Sequence, residues 1–232
     1  MAERRERPDA TFLLGVRGVT ELVLVRHAKQ ALSDDFLGQP VGELHDPPLS
    51  ELGVRQAKAV AAALGPEPIA AVYASSSGRA QETAAVIAAD LNLEAAIVDG
   101  IEEFGFFREL PPDMAARQAL GDLRFEGFQR RWARTRSWDA WPGSEPASDF
   151  KARAIDAIEG LVARHQGERV VVVAHGGVIN AYVGDFLGTT DDMFFVPAHA
   201  SITRVRARHD RRVLSTLNEV QHLTGPDDLL TF

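Results

Sequence analysis

The sequence predicts an α/β fold: a three-layer α/β/α arrangement around a mostly parallel mixed sheet, with an inserted helical lid. Three observations carry that expectation. Short apolar runs at 21–25 (ELVLV), 69–74 (IAAVYA) and 169–174 (RVVVVA) each break abruptly into polar residues, as strands buried on both faces do at their ends. Segments with helical i, i+3, i+4 apolar spacing lie between those runs, the alternation that builds a parallel sheet. Near the end, ITRVRA (202–207) and VLSTLN (213–218) flank the polar turn ARHDRR, which reads as an antiparallel hairpin added to the sheet.

Taken in order, residues 1–20 are basic at the start, lack an apolar stretch long enough for a signal peptide, and read as a loose arm. The expected catalytic domain runs from 21 to 232. After the first strand comes a polar loop, then a helix that Ser50 can cap, with Leu52, Ala57, Val60, Ala61 and Leu64 on its apolar side. The second strand leads through Ser75–Ser77 into a helix striped by Ala80, Thr83, Ala84, Ile87, Ala88 and Leu91. A helix around Phe150, Ala154, Ile158, Leu161 and Val162 precedes the third strand, and His175 and Gly176 open another helix behind it. Between about 104 and 148 the periodicity weakens while Phe, Trp, Arg and Pro accumulate, and this stretch is the expected lid. No repeat, low-complexity tract or linker divides the chain.

With 232 residues, 45% of them hydrophobic, there is material for one sizeable core. A net charge of −8 argues against broad attachment to nucleic acid or an anionic membrane, and no run approaches a membrane span. Lacking cysteine, the chain has no disulfide, thiolate nucleophile or cysteine-ligated zinc, and a cytoplasmic setting is preferred. An anionic substrate therefore needs a local positive pocket. A homodimer is left open.

Three strand ends supply such a pocket. Arg26 and His27 follow the first strand, Ser75 to Arg79 the second and His175 the third. In an open α/β sheet, ligands bind beyond the carboxyl ends of strands. Two guanidinium groups and two imidazoles would meet there, and helix starts near Gly78 and Gly176 would add backbone donors and a positive dipole end. A compact anion satisfies that set. Singly, each residue has a blander reading, a hydrogen-bonded structural histidine or a surface arginine.

Five segments in order, followed by two shorter ones, resemble the histidine phosphatase superfamily, the phosphoglycerate mutase-like fold, from Leu22 to about Leu223. LVLVRHAKQ resembles the strand and Arg-His-Gly start, with Ala28 in place of glycine. PPLSELGVRQAKAVAAAL and YASSSGRAQETAAVIA are similar to the next two, the latter supplying a second phosphate-binding arginine, Arg79. VDGIEEF looks like the stretch that offers the proton-donating acid, placing it at Glu103, with Glu102 the rival because neighbours on an extended segment point oppositely. VVVVAHGGVI resembles the segment of the second histidine, His175, and ASITRV and NEVQHL complete the set. Ser33 stands where many members have asparagine, and Lys29 and Gln30 replace commoner Glu-Thr or Glu-Ser.

The resemblance implies a metal-independent phosphomonoester hydrolase working without a cofactor on a small-molecule phosphomonoester. His27 would accept the phosphoryl group, and cations around it would keep the imidazole unprotonated. Arg26, Arg79 and His175 would hold the phosphoryl oxygens without a metal, and Glu103 would protonate the leaving oxygen and later activate water. Substrate contacts fall to Arg26, Arg79, His175, Gly176, Ser33, Gln30 and Arg108. Phe104, Phe106, Phe107, Arg108, Phe128, Arg131 and Trp132 are candidates for the substrate mouth. The other histidines, His45, His165, His199, His209 and His222, form no familiar metal-ligand pair and read as surface or structural. A phosphoglycerate mutase-type phosphotransferase is the alternative, disfavoured because the long middle insertion of mutases is not evident. A non-catalytic phospholigand-binding module is a third reading, opposed by the complete set of histidines, arginines and acid.

Overall fold

The computed structural model describes residues 11–33, 35–225 and 228–232. Six strands form one sheet in the order β3-β2-β4-β1-β5-β6, with β1 Thr20–Arg26, β2 Ala71–Ala74, β3 Ala95–Ile97, β4 Arg169–Ala174, β5 Ile202–Arg208 and β6 Arg211–Glu219. β1 pairs in parallel with β4, β4 with β2 and β2 with β3, whereas β5 is antiparallel to both β1 and β6. The mixed, mostly parallel sheet matches the sequence expectation.

The apolar runs work because side chains alternate faces along a strand. Leu22, Leu24, Val170 and Val172 face a core built with α6 (Ala147–Arg164) and α7 (Gly176–Leu187), including Phe150, Ile158 and Ile179. Val23, Val25, Val171 and Val173 face the opposite core, with Val60 and Leu64 of α2 (Glu51–Leu64) and Ala84 and Ile87 of α3 (Gly78–Asp90). Each such buried Val or Leu contributes about 1.5–3 kcal/mol, which makes the central strands a rigid platform. Ser50 caps α2 as expected, its Oγ accepting from Gly53 N at 3.0 Å.

Several details differ from the sequence reading. The hairpin turn is shorter than ARHDRR: β5 and β6 extend to Arg208 and Arg211, leaving His209, with φ 51°, and Asp210 at the tip. β3 was not expected, because it is an exposed edge of only three residues in the short run AAIV, shortly after a helix. Residues 11–19 form turns in which Leu13 and Val19 are buried; residues 1–10 of the expected arm lie outside the described residues.

Between β3 and α6 the chain leaves the sheet and carries α4 (Ala116–Leu120) and α5 (Asp122–Thr135). These helices have a small core of their own, Phe107, Leu120, Phe125 and Phe128, shared with Val41 and Leu44 of α1 (Val41–His45). The insertion thus leans on the loop that follows β1. Among the described residues no helix is long and apolar enough to cross a membrane.

Candidate active site

Because β1, β2 and β4 are parallel neighbours, their carboxyl ends share one edge of the sheet, and β4 sits between the other two. The strand ladder continues one step past each end: His27 N donates to Ala174 O at 2.8 Å and Ser75 N to Val173 O at 3.0 Å. His27 and Arg79 are thereby brought to a cleft of about 830 Å³, which Arg26 and Glu103 also line, while His175 is fully buried and meets the group through Arg79.

His27 is buried, and its Nδ1 lies 2.8 Å from Ala28 O. A carbonyl only accepts, so Nδ1 carries the proton and Nε2 is left with its lone pair. Arg79 Nε donates to that Nε2 at 3.2 Å. Burial, then the charges of Arg79, His175 and Arg26, hold the imidazole well below its ordinary value of 6.5, against the pull of the Ala28 carbonyl. The ring is neutral and its tautomer is fixed.

Arg79 enters from the first turn of α3. Its Nη2 reaches His175 Nδ1 at 3.1 Å, and its Nη1 donates to His45 O at 3.0 Å and to Asp46 Oδ1 at 3.3 Å. Thr83, one turn along, accepts from Ala28 N at 3.1 Å and donates to Arg79 O at 2.7 Å, tying helix and loop together. His175 Nε2 contacts Ser75 Oγ at 2.9 Å and Ser77 Oγ at 3.2 Å. Burial, followed by the charges of Arg79 and Arg26, also holds His175 well below 6.5.

Arg26 Nη1 donates to Pro197 O at 2.5 Å and Nη2 meets His199 Nε2 at 2.9 Å, while buried Nε has no hydrogen-bond partner among the described residues. An orphaned charged donor at the cleft suits an incoming anion. Burial, opposed by Glu103 and reinforced by Arg79, brings this guanidinium to about 10.

Glu102 and Glu103 both line the cleft, against the expectation that only one would, and it is Glu103 that reaches the start of α7. Its Oε2 accepts from Gly177 N at 3.1 Å and its Oε1 from Phe104 N at 3.1 Å. Burial raises its pKa above 4.5 even though those two donors, Arg79 and Arg26 pull downward. A Cβ on Gly177 would lie 2.1 Å from Glu103 Oε1, so glycine is what lets the carboxyl reach the start of α7. Glu102 instead accepts from Ser76 Oγ and Gly100 N, each at 3.0 Å, and pairs with Arg153 at 3.4 Å.

The remaining expectations divide. Gly176, Ser33, Gln30 and Arg108 all line the cleft. Ser33 donates to Gln39 Oε1 at 3.1 Å, Gln30 Oε1 is buried without a partner among the described residues, and the Arg108 side chain is 60% exposed at the mouth. The α3 N-terminus is not a free anion site as proposed from sequence, because both Asp46 oxygens already accept from Gly78 N at 3.0 Å. Phe104, Phe106, Arg108 and Trp132 reach the cleft, but Phe107 and Phe128 are consumed by the core of the insertion and Arg131 donates to Ala140 O.

His199, which the sequence left as a surface or structural histidine, lines the cleft beside Arg26. It is buried, its Nδ1 meets Thr231 Oγ1 at 3.1 Å, and burial with the charges of Arg26 and Lys29 depresses it to about 2. Its position immediately before the ASITRV segment was the available signal. Among the described residues no group of three or more His, Asp or Glu could hold a metal ion.

A family model described as histidine phosphatase superfamily (branch 1) matches residues 22–220. The chain belongs to the histidine phosphatase superfamily. A metal-independent phosphoserine phosphatase of Arabidopsis thaliana is 30% identical over 221 residues, covering 89% of this chain and 84% of that protein. A probable phosphoglycerate mutase of Photorhabdus laumondii is 27% identical over 225 residues, covering 89% and 96%. The structure of a mycobacterial glucosyl-3-phosphoglycerate phosphatase in complex with VO3 superposes with a TM-score of 0.69 at 26% identity, covering 85% of this chain and 98% of that one. Superfamily and relatives together make this histidine phosphatase a phosphoric monoester hydrolase.

Proposed function

We propose that residues 21–232 act as one catalytic domain, with 104–148 as its lid, and that it hydrolyses small phosphomonoesters in the cytoplasm through phosphohistidine on His27. The observation that carries this reading is the His27 ring itself: Nδ1 tied to Ala28 O and an unprotonated Nε2 facing Arg79.

In the first half-reaction the Nε2 lone pair attacks phosphorus in line with the ester oxygen. The P–O bond breaks, its electron pair goes to the leaving oxygen, and Glu103 delivers the proton. In the second, Glu103 takes a proton from water as the water oxygen attacks phosphorus, and the P–N pair returns to Nε2. The equatorial oxygens are held by Arg26 and Arg79, whose forked donors otherwise rest on His27, His175 and main-chain carbonyls. His175 joins them by shifting its proton to Nδ1. Ser75 and Ser77 support either tautomer, because a hydroxyl both donates and accepts.

Water as acceptor is tested by supplying phosphoserine, phosphoglycerates, sugar phosphates and nucleotides with excess chelator and measuring free phosphate against transfer to added 3-phosphoglycerate. The proposal expects phosphate release unaffected by the chelator. Transfer exceeding release supports the mutase alternative, and activity restored only by a divalent ion defeats the mechanism.

A further inference from the structure

One guanidinium binds almost every carbonyl of the segment that presents Glu103. Arg153, on α6, donates from Nη1 to Gly100 O at 2.9 Å and Glu102 O at 2.8 Å, and from Nη2 to Glu103 O at 3.3 Å. The same group stacks over the Phe150 ring at 4.8 Å. Its remaining donors go to Glu145, from Nε to Oε2 at 3.0 Å and from Nη2 to Oε1 at 2.6 Å.

Glu145 in turn closes the base of the lid. Its Oε1 accepts from Gly105 N at 2.9 Å, and its own N donates to Gly105 O at 3.0 Å, so the outgoing and returning chains are joined at this residue. Burial alone would raise the Glu145 carboxyl, but its bonds to Arg153 and Gly105 N bring it below 4.5 and keep it ionised. The segment can approach this closely because Gly100 sits at φ +93°, where a Cβ would meet Arg153 O and Ala157 Cβ at 3.1 Å. Glu102 completes the clamp by accepting from Gly100 N and Arg153.

We infer that Arg153 and Glu145 are positioning residues for proton transfer: together they fix the backbone of the general acid and fasten it to the lid. The inference rests on the assignment of Glu103 as that acid. Neither residue touches the reacting atoms. Their loss is therefore expected to act through where the Glu103 carboxyl stands, not through phosphate binding. The guanidinium fork matters more than the charge, since an ammonium has no planar set of donors to span three carbonyls and a carboxylate.

The test is single-turnover phosphorylation of His27 in the full chain, comparing an alkyl phosphate, whose leaving oxygen needs a proton, with p-nitrophenyl phosphate, which needs little. Arg153→Met is expected to slow the alkyl ester about 10-fold to 100-fold, part of the 10²–10⁴ that a positioned acid supplies, and the aryl ester about threefold or less. Arg153→Lys should restore little, and Glu145→Gln should show the same selectivity more weakly. Glu145→Gln preserves shape, so it carries the test if Arg153→Met does not fold. Equal slowing of both esters in a folded variant, or full rescue by lysine, overturns the inference. Glu103→Gln serves as reference: if it lacks leaving-group selectivity, the acid assignment fails, whereas a selective Glu103→Gln beside a non-selective Arg153→Met and Glu145→Gln defeats the positioning role alone.

Discussion

Replacing Arg79 with alanine removes three sets of contacts of unequal consequence. Nε and Nη2 face the reacting centre, resting 3.2 Å from His27 Nε2 and 3.1 Å from His175 Nδ1. Those two donors would serve the transferring phosphoryl group, each as a charge-assisted bond of about 1.5–2 kcal/mol. Together they amount to about 3–4 kcal/mol, and at about 1.4 kcal/mol per decade kcat should fall roughly 10²- to 10³-fold. The third set, Nη1 to Asp46 and His45 O, adds little to stability because the Asp46 side chain is 52% exposed and such pairs contribute about 0–1 kcal/mol. Asp46 keeps both bonds to Gly78 N, so the fold should survive. Arg79 is also the largest charge depressing His27 after burial, so its removal should shift the acid limb of kcat/KM toward higher pH. Steady-state kinetics across pH, paired with a thermal melt, read both effects. A folded Arg79→Ala variant with near-normal kcat, or an Arg79→Lys variant that recovers wild-type rates, would refute the reasoning.

Gly177→Ala places a Cβ 2.1 Å from Glu103 Oε1, displacing the carboxyl while leaving the flexible side chain room to move. Alkyl ester turnover should drop about tenfold or more with little change in melting temperature, and unchanged kcat would show that this contact is dispensable. Stability should fall on acidification: His27, His175 and His199 have lowered folded-state values, so their contribution is present above their unfolded value of 6.5 and is lost as pH falls below it. Well below that point the slope approaches about 4 kcal/mol per pH unit for three buried imidazoles, with Glu103, shifted upward, acting in the opposite sense at lower pH. Urea unfolding from pH 7.5 down to about 5 checks this, and a flat profile contradicts it.

Much of the architecture was legible because period-two and period-3.6 patterns are enforced by burial. Leu24 and Val25 are read correctly as one strand because both faces of β1 are covered, and Ile87 and Ala88 as one helix because α3 has a single buried side. β3 escaped since a three-residue exposed edge is too short for its apolar run to be told from a helix end. The strand-end residues were legible individually, and parallel order then brought them together. Arg153 and Glu145 were not, because a charged residue on an amphipathic helix, or in the loop just before it, looks solvated until the carbonyls of a distant segment are placed against it. For the same reason His199 reads as a surface histidine unless its place just before ASITRV is weighed, since its partners Arg26 and Thr231 come from opposite ends of the chain.

The lid aromatics show a second limit. Phe106 and Phe107 are neighbours of identical type, yet Phe106 lines the cleft and Phe107, with φ 55°, is buried against Phe128 and Trp141. Composition marks an insertion without saying which rings face the cleft. The backbone turn decides that.

The central claim is that His27 is the phosphoryl acceptor and reacts through Nε2. Rapid quenching with a labelled phosphomonoester, followed by mapping of the modified residue and of its ring position, tests this most directly. The account predicts an acid-labile, alkali-stable phosphoenzyme with phosphorus on Nε2 of His27, because Nδ1 is occupied by Ala28 O, and no label in a His27→Ala variant. Label on Nδ1, on another residue, or persisting in His27→Ala would contradict it.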